Sequence, residues 1–406
     1  MDFKLRKYQE EISEEGLSIL KKKKILILNL AVRTGKSHIA LNIGKHYKNV
    51  LFITKKKAIQ SVNDDYVTAG HDFDLLVTNY ENLHKISGVF DLVVCDESNE
   101  KISAFPKPTL NAKRVKTFVS NDLILLTGTL LPESNSQIFH QLWVSNYSPF
   151  KKYNNFYAFH RALGIPEIVY TSYGQSKSYK NTPFKNIEEH INPIKISFTQ
   201  KDAGFVSKIN EIIHNVDMSE KTKHIIKVLS KDFLVEGKDE VILADTSVKL
   251  MQKIHQLSSG TVKFESGNSK IIDTSKIDYI KKEFKGKKIA IFYKFKAELE
   301  MIENAFDLAK DIEEFDSTDK NIALQFVSGR SGIKLSKADS IVAINIDFSS
   351  TTYFQFRDRC TTIDRKETDV HWIFSDVGME SKVYRSVMLK KNYTTQTFKN
   401  GFKISE

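Results

Sequence analysis

Short apolar runs recur along the chain and predict its architecture. "ILILNL" (25–30), "VLFIT" (50–54), "LLVTN" (75–79), "LVVCD" (92–96) and "LILLTG" (123–128) are each rich in Ile, Leu and Val. Runs without strict alternation are apolar on both faces. They suit parallel strands covered by helices on both sides. Between them lie stretches of helical period such as "KSHIALNIGKHY" (36–47). Strands alternating with helices predict a doubly wound α/β domain.

The alternation lapses over 146–193, where Tyr, Asn, Ser and Lys dominate ("SNYSPFKKYNNFYAF", "TSYGQSKSYKNTPF"). This stretch reads as an inserted, connecting segment. A second series follows: "IKISF" (194–198), "EVILA" (240–244), "KIAIFY" (288–293), "IALQFV" (322–327), "SIVAIN" (340–345) and "VHWIF" (370–374). The pattern therefore predicts two α/β lobes, 1–145 and 194–390, flanking a cleft. The connecting segment 146–193 joins them and a basic tail, 391–406, follows.

A length of 406 residues fits two domains. Charged residues make up 27% and hydrophobic ones 41%, as in folded soluble proteins. The net charge of +11 favours a polyanionic partner. Nucleic acid comes first and an anionic membrane surface second, with a lysine-rich proteome as the plain alternative. Two cysteines, Cys95 and Cys360, make neither a disulfide framework nor a four-thiolate zinc site, so a reducing, cytoplasmic setting is expected. The start, "MDFKLRKYQEE", has no apolar signal core, and "ILILNLAV" is too short to span a bilayer, so no membrane role is expected. The scattered histidines form no H-E-x-x-H pair, and no metal site built from side chains alone is expected.

Two motifs carry chemistry. "AVRTGKS" (31–37) lies between an apolar run and a helical one and closes on Gly35-Lys36-Ser37, the end of a phosphate-binding loop. Backbone N–H groups at such a helix start attract phosphate, and Gly35 allows close approach. Lys36 would reach the β- and γ-phosphates of a nucleotide, and Ser37 would ligate Mg²⁺. Leu30 stands where the usual pattern has a glycine, and Arg33 where a small residue is common. "LVVCDES" (92–98) ends a strand in Asp96-Glu97, with Asp96 60 residues beyond Lys36. Asp96 would hold Mg²⁺ and Glu97 would orient or deprotonate an attacking water.

In serial order these and other segments resemble superfamily 2 helicases and translocases, specifically the Swi/Snf-like DNA-dependent ATPase branch. "DES" resembles the DEAD/DEAH-type motif. "LRKYQEE" (5–11) resembles the element upstream of the loop, which places Arg6 and Gln9 at the nucleotide, Gln9 at the adenine edge. "LILLTGTLLPES" resembles the L-T-G-T form of motif III, characteristic of this branch rather than of RNA-acting DEAD-box proteins. "VLFITKKKAI" and "VTNYENL" resemble further motifs of the first lobe. "LQFVSGRSGIKLSKADSIVAINIDFSSTTYFQFRDRC" (324–360) resembles motifs V and VI, and "VHWIFSDVGMESKVYRSV" the run after them, with Met379 for a threonine. The R-T-G-K-[ST] loop resembles compact bacteriophage members, which would act in the host cytoplasm.

The resemblance implies two tandem RecA-like lobes with ATP and Mg²⁺ between them. It implies nucleotide contacts from Arg6, Gln9, Arg33, Thr34, Gly35, Lys36, Ser37 and Gly332. Thr127, Gly128, Thr129 and Gln355 would couple hydrolysis to movement. Thr54, Lys55, Thr78, Asn79, Tyr80 and Ser328 would lie along DNA held through its backbone, independently of sequence. An arginine must neutralise charge on the γ-phosphoryl oxygens. The family pattern R-x-x-R is broken by Thr362, which leaves Arg357, Arg359 and Arg365 as candidates. The expected protein is a monomeric ATP-dependent DNA translocase or helicase, with any targeting partner unspecified. A nucleic-acid-binding module that has lost hydrolysis and an RNA-acting helicase stand as alternatives.

Overall fold

The structure is a computed structural model. It describes residues 3–171, 174–204, 208–237, 240–326, 335–360, 367–389, 393–395 and 397–398. The chain divides into two compact units, 1–204 and 205–406. No helix among the described residues is long and apolar enough to cross a membrane.

The first unit begins with α1 (Lys7–Lys23), β1 (Ile25–Leu30), α2 (Lys36–Gly44), β2 (Asn49–Thr54), α3 (Ile59–Thr68) and β3 (Asp74–Asn79). It continues through β4 (Leu92–Asp96), α4 (Ser98–Lys101), α5 (Leu110–Phe118), β5 (Asp122–Thr127) and α6 (Ile138–Trp143). It closes with α7 (Phe156–Leu163), β6 (Glu167–Thr171), β7 (Gly174–Ser178), α8 (Glu188–Ile191) and β8 (Lys195–Phe198). Six strands form one parallel sheet in the order β3-β2-β4-β5-β1-β8.

Successive strand residues enter opposite cores. Ile25, Ile27, Leu51, Ile53, Val93, Leu123 and Leu125 pack on one face. Leu26, Leu28, Leu30, Val50, Phe52, Val94, Ile124 and Leu126 pack on the other, against α1, α2 and α3. Apolar runs without alternation are what a sheet buried on both faces requires.

Two expectations are corrected here. "IKISF" does not open the second lobe, because β8 pairs in parallel with β1 (Ile27 opposite Lys195, Leu30 opposite Phe198). Nor is 146–193 merely a connection. Phe150, Phe156, Phe159, Ile187, Ile191 and Ile194 are buried in the first unit's own core, closing the sheet face that α1–α3 leave open. Among the described residues of this segment, β6 and β7 form a separate antiparallel ribbon.

The second unit runs β9 (Lys208–Val216), α9 (Glu220–Asp232), β10 (Leu234–Glu236), β11 (Val241–Leu243), α10 (Ser247–Ser258), β12 (Thr261–Lys263) and β13 (Ser269–Ile271). It then runs α11 (Ser275–Glu283), β14 (Ile289–Tyr293), α12 (Lys296–Glu303), α13 (Ile312–Ser317), β15 (Ile322–Gln325) and β16 (Ser340–Ala343). It ends with α14 (Ser350–Cys360), β17 (Glu367–Ser375) and α15 (Glu380–Met388). Its parallel sheet has the order β15-β14-β16-β17-β9 and again separates two cores. "EVILA" yields β11, which pairs with β10 in a two-stranded ribbon outside this sheet. Tyr393 and Phe398 of the basic tail are buried in the larger core.

A histidine pair bridges β9 and β17. His214 Nε2 lies 2.9 Å from His371 Nδ1, and His214 Nδ1 lies 2.8 Å from the Tyr279 hydroxyl. One proton serves the bond between the rings, so charging both breaks it. Burial, then His214, holds the His371 imidazole down at about 4, and burial lowers His214 as well. These groups are depressed in the folded state. Their stabilisation is whole above the ordinary histidine value of about 6.5 and is lost as pH falls toward 4. Urea midpoints of the protein should therefore drop between pH 7 and pH 4.5. His371→Gln should remove up to about 3 kcal/mol of that slope. An unchanged slope in the variant would refute the assignment.

Candidate nucleotide-binding site

Because the first sheet is parallel, β4, β5 and β1 end side by side on one edge. From β1 the chain crosses leftward past β5 and β4 to β2, whereas from β5 it returns past β1 to β8. This divergence is the switch point at which open α/β sheets bind ligands. The loop 31–35, the Thr127-Gly128-Thr129 turn and Asp96-Glu97 all lie on this edge.

The loop's backbone is unusual in the way anion-binding loops require. Arg33 has φ 68° and Gly35 φ 81°, both left-handed, and Gly35 caps α2. Left-handed residues beside right-handed ones turn successive N–H groups toward one concavity. Leu30 is fully buried as the last residue of β1. The missing glycine is therefore a strand end, and the turn is made at Arg33 and Gly35.

Packing fixes the loop. Thr34 is fully buried, its hydroxyl donating to Ala31 O at 2.8 Å. Its carbonyl accepts from Gln9 Nε2 (3.0 Å) and the Tyr8 hydroxyl (3.1 Å). Gln9 Oε1 accepts from Arg6 N at 2.8 Å. A Cβ at position 35 would overlap Gln9 Nε2, so Gly35 is required by the close approach of α1 as well as by its φ. Gln9 and Arg6, expected at the nucleotide, are thus brought to the loop. In this structure both polar ends of the buried Gln9 amide hold loop and helix start together. Gln200 Nε2, which sequence reading missed, donates to Val32 O at 3.1 Å.

Lys36 and Ser37, half-buried, open α2. Lys36 reaches the β5 end, since a Cβ on Gly128 would lie 3.5 Å from its Nζ. Thr127 is buried and its Oγ1 accepts from Thr129 N at 3.1 Å. Asp96 Oδ2 accepts from Thr54 Oγ1 at 2.7 Å, and Oδ1 from Glu97 N at 3.0 Å. Burial, then the Glu97 charge, pushes the Asp96 carboxyl above the usual carboxylate range, while Lys36, Thr54 and Lys55 pull it back. Two adjacent half-buried carboxylates favour a cation. Glu97 itself has φ 51°, a strained value for a residue with a side chain.

Several expected nucleic-acid residues are placed otherwise. Thr54, Thr78, Asn79 and Tyr80 are all buried. Thr54 is committed to Asp96, Asn79 Oδ1 accepts from Asn82 N, and the Tyr80 hydroxyl donates to Asp96 O at 2.7 Å. Thr54 ends β2 and Thr78 and Asn79 end β3; of the four, Thr54 holds the Asp96 carboxylate and Tyr80 the Asp96 carbonyl. Lys55 pairs with Glu100 at 2.9 Å. In the second unit, Arg357 Nε lies 2.6 Å from Glu211, whose carboxylate also accepts from Tyr353, Tyr384 and Trp372. That ion pair accounts for Arg357 as a brace of α14 against β9. Gln355 lies on α14, as does Arg359, whose side chain is outside the described residues. Ser328, Gly332 and Arg365 lie outside them altogether.

No protein-family model matches the chain. No curated protein sequence matches it. Among solved structures it is similar to the Sulfolobus solfataricus SWI2/SNF2 ATPase core in complex with dsDNA. That likeness has 16% identity and a TM-score of 0.46, covering 96% of this chain and 92% of that one. It is also similar to the Sulfolobus solfataricus SWI2/SNF2 ATPase core domain, with 16% identity and a TM-score of 0.44 over 99% and 91% of the two chains.

The site has a buried polar support that the motifs did not reveal. Ser98 Oγ donates to Gln141 Oε1 (2.9 Å), and Gln141 Nε2 donates to Leu130 O and Gln137 O. Gln137 Oε1 accepts from Ser134 N, and Ser134, Asn135 and Ser136 bond the carbonyls of Lys180, Thr182 and Tyr179. The carboxylate end of β4 is thereby tied, through α6, to the foot of the β6–β7 ribbon. A lone glutamine in "FHQLW" carries no sequence signal of this role.

Proposed function

We propose that this protein is an ATP-hydrolysing motor acting on DNA, a translocase or helicase of the Swi/Snf-like branch of superfamily 2. The observation that carries the reading is the convergence, on the edge of β4, β5 and β1, of a left-handed phosphate loop, Lys36 and the Asp96-Glu97 pair. The residues fit ATP with Mg²⁺. The left-handed backbone at Arg33 and Gly35 would turn N–H groups toward an anion, and Lys36 would supply a point charge for phosphate. Ser37 and Asp96 would hold the cation, which would supply charge neutralisation to the phosphates. Each Asp96 oxygen accepts one described bond and keeps a lone pair. Glu97 would take a proton from the attacking water. Arg359 or Arg365 would stabilise charge on the γ-phosphoryl oxygens.

DNA as the polyanion rests on the +11 charge and on the Thr127-Gly128-Thr129 form of motif III. The test is ATP turnover in the presence of duplex DNA, single strands, branched DNA and RNA. Stimulation by a DNA is expected. RNA exceeding every DNA would overturn the choice of substrate. No turnover with any of them, together with a DNA gel shift, would show a binding module that has lost hydrolysis.

A further inference from the structure

The β6–β7 ribbon is hydrogen-bonded into neither parallel sheet, and its described residues on both faces are largely exposed. In its register Ile168 opposes Lys177 and Val169 opposes Ser176. Ile168 is 61% and Val169 42% exposed, a large apolar display for two β-branched residues. A lone two-stranded ribbon is marginal in water, yet this one is firmly footed. Ser134, Asn135 and Ser136 grip the chain just after β7. Asn181 Nδ2 donates to Glu167 at 2.7 Å, and the Tyr179 ring packs between Tyr157 and His160.

The segment that carries the ribbon is basic. Residues 146–193 hold six basic side chains (Lys151, Lys152, Arg161, Lys177, Lys180 and Lys185) and three acidic ones, Glu167, Glu188 and Glu189, a net +3 of the chain's +11. All six are exposed, and none forms an ion pair among the described residues. Uncompensated lysines repel one another unless a polyanion lies beside them. A two-stranded ribbon has the width of the major groove of duplex DNA. An apolar β-branched side chain there can meet thymine methyl groups while lysines meet phosphates.

We propose that the β6–β7 ribbon is the first unit's contact with duplex DNA, lying in the major groove with Lys177 and Lys180 on the flanking phosphates. The inference rests on the DNA reading above and goes beyond it, because the strand-end residues assigned by resemblance are buried. The test measures duplex and single-strand affinity against salt for the full chain, for Lys177→Ala/Lys180→Ala, for Ile168→Asp, and for Lys21→Ala/Lys22→Ala on α1 as control. The lysine variant should flatten the slope of log affinity against log salt on duplex by about 2 and weaken binding about tenfold or more, with the control unchanged. Ile168→Asp should weaken duplex binding and leave single strands little affected. If the wild type binds DNA and both ribbon variants match it, the ribbon proposal fails while the DNA reading stands. If the wild type binds no DNA, the DNA reading itself fails and the ribbon with it. A lysine effect alone, with Ile168→Asp neutral, would refute groove insertion and leave the apolar pair to a protein partner.

Discussion

Glu97→Gln is expected to stop ATP turnover while leaving nucleotide binding close to wild type. The substitution removes a proton acceptor without changing volume, and Glu97 makes no contribution to the loop's own hydrogen bonds. A positioned general base contributes about 10²–10⁴-fold, so phosphate release should fall by that factor. Lys36→Ala should do more, because the ammonium that reaches the Gly128 turn would be lost to binding and to chemistry together. Steady-state phosphate release and equilibrium binding of a fluorescent ATP analogue separate the two. Robust turnover in Lys36→Ala would remove the loop from the mechanism. Weak binding in Glu97→Gln would instead make Glu97 part of the nucleotide's seat.

The largest stability effect is expected at Lys276 and Glu380, which are 1% and 0% exposed and 2.7 Å apart. Lys276 Nζ also donates to Ile344 O, and Ser375 Oγ to Glu380 Oε2 at 3.0 Å. Every charge in this pair is satisfied inside the second unit, so neither partner can be removed alone without stranding the other. Glu380→Gln or Lys276→Met should each cost about 3–5 kcal/mol. Lys276→Met/Glu380→Leu should recover much of that loss, because apolar residues of similar volume often replace a buried pair at little cost. Chemical denaturation of the four proteins gives the cycle. Additive losses in the double variant would refute the pairing. Gly378 belongs to the same arrangement: a Cβ there would overlap Glu380 Oε2, Ser375 Oγ and Ser258 Oγ.

The strands were legible where burial on both faces left uninterrupted apolar runs, as in "ILILNL" and "LVVCD". "KINEIIHNV" gave β9 without such a run, because an edge strand with Ile212 and Ile213 partly exposed mixes polar and apolar residues. "IKISF" was legible as a strand but not as the neighbour of β1, since hydrophobicity reports burial and not pairing partner. The aromatic segment 146–193 read as a connection because its Phe residues follow no strand or helix period long enough to register. That Gly35, Lys36, Asp96 and Glu97 lie at or just beyond the ends of β1 and β4 on one edge of the sheet was legible through spacing. The burial of Thr54, Thr78, Asn79 and Tyr80 was not, because motif order says that residues gather and not which way they face. Met379 illustrates the same limit. It stands where a threonine was expected, and the structure buries it completely in the second unit's larger core.

The polar footing from Ser98 through Gln141, Gln137 and Ser134 to Lys180 divides the first unit into parts of unequal tolerance to change. Ser98, Gln141, Gln137 and Ser134 are buried and each depends on the next, so a residue inserted between 130 and 141 would break several bonds at once. The ribbon before Lys180, by contrast, leaves Ile168, Val169, Ser176 and Lys177 exposed. A change in those exposed side chains would therefore leave the carboxylate end of β4 undisturbed.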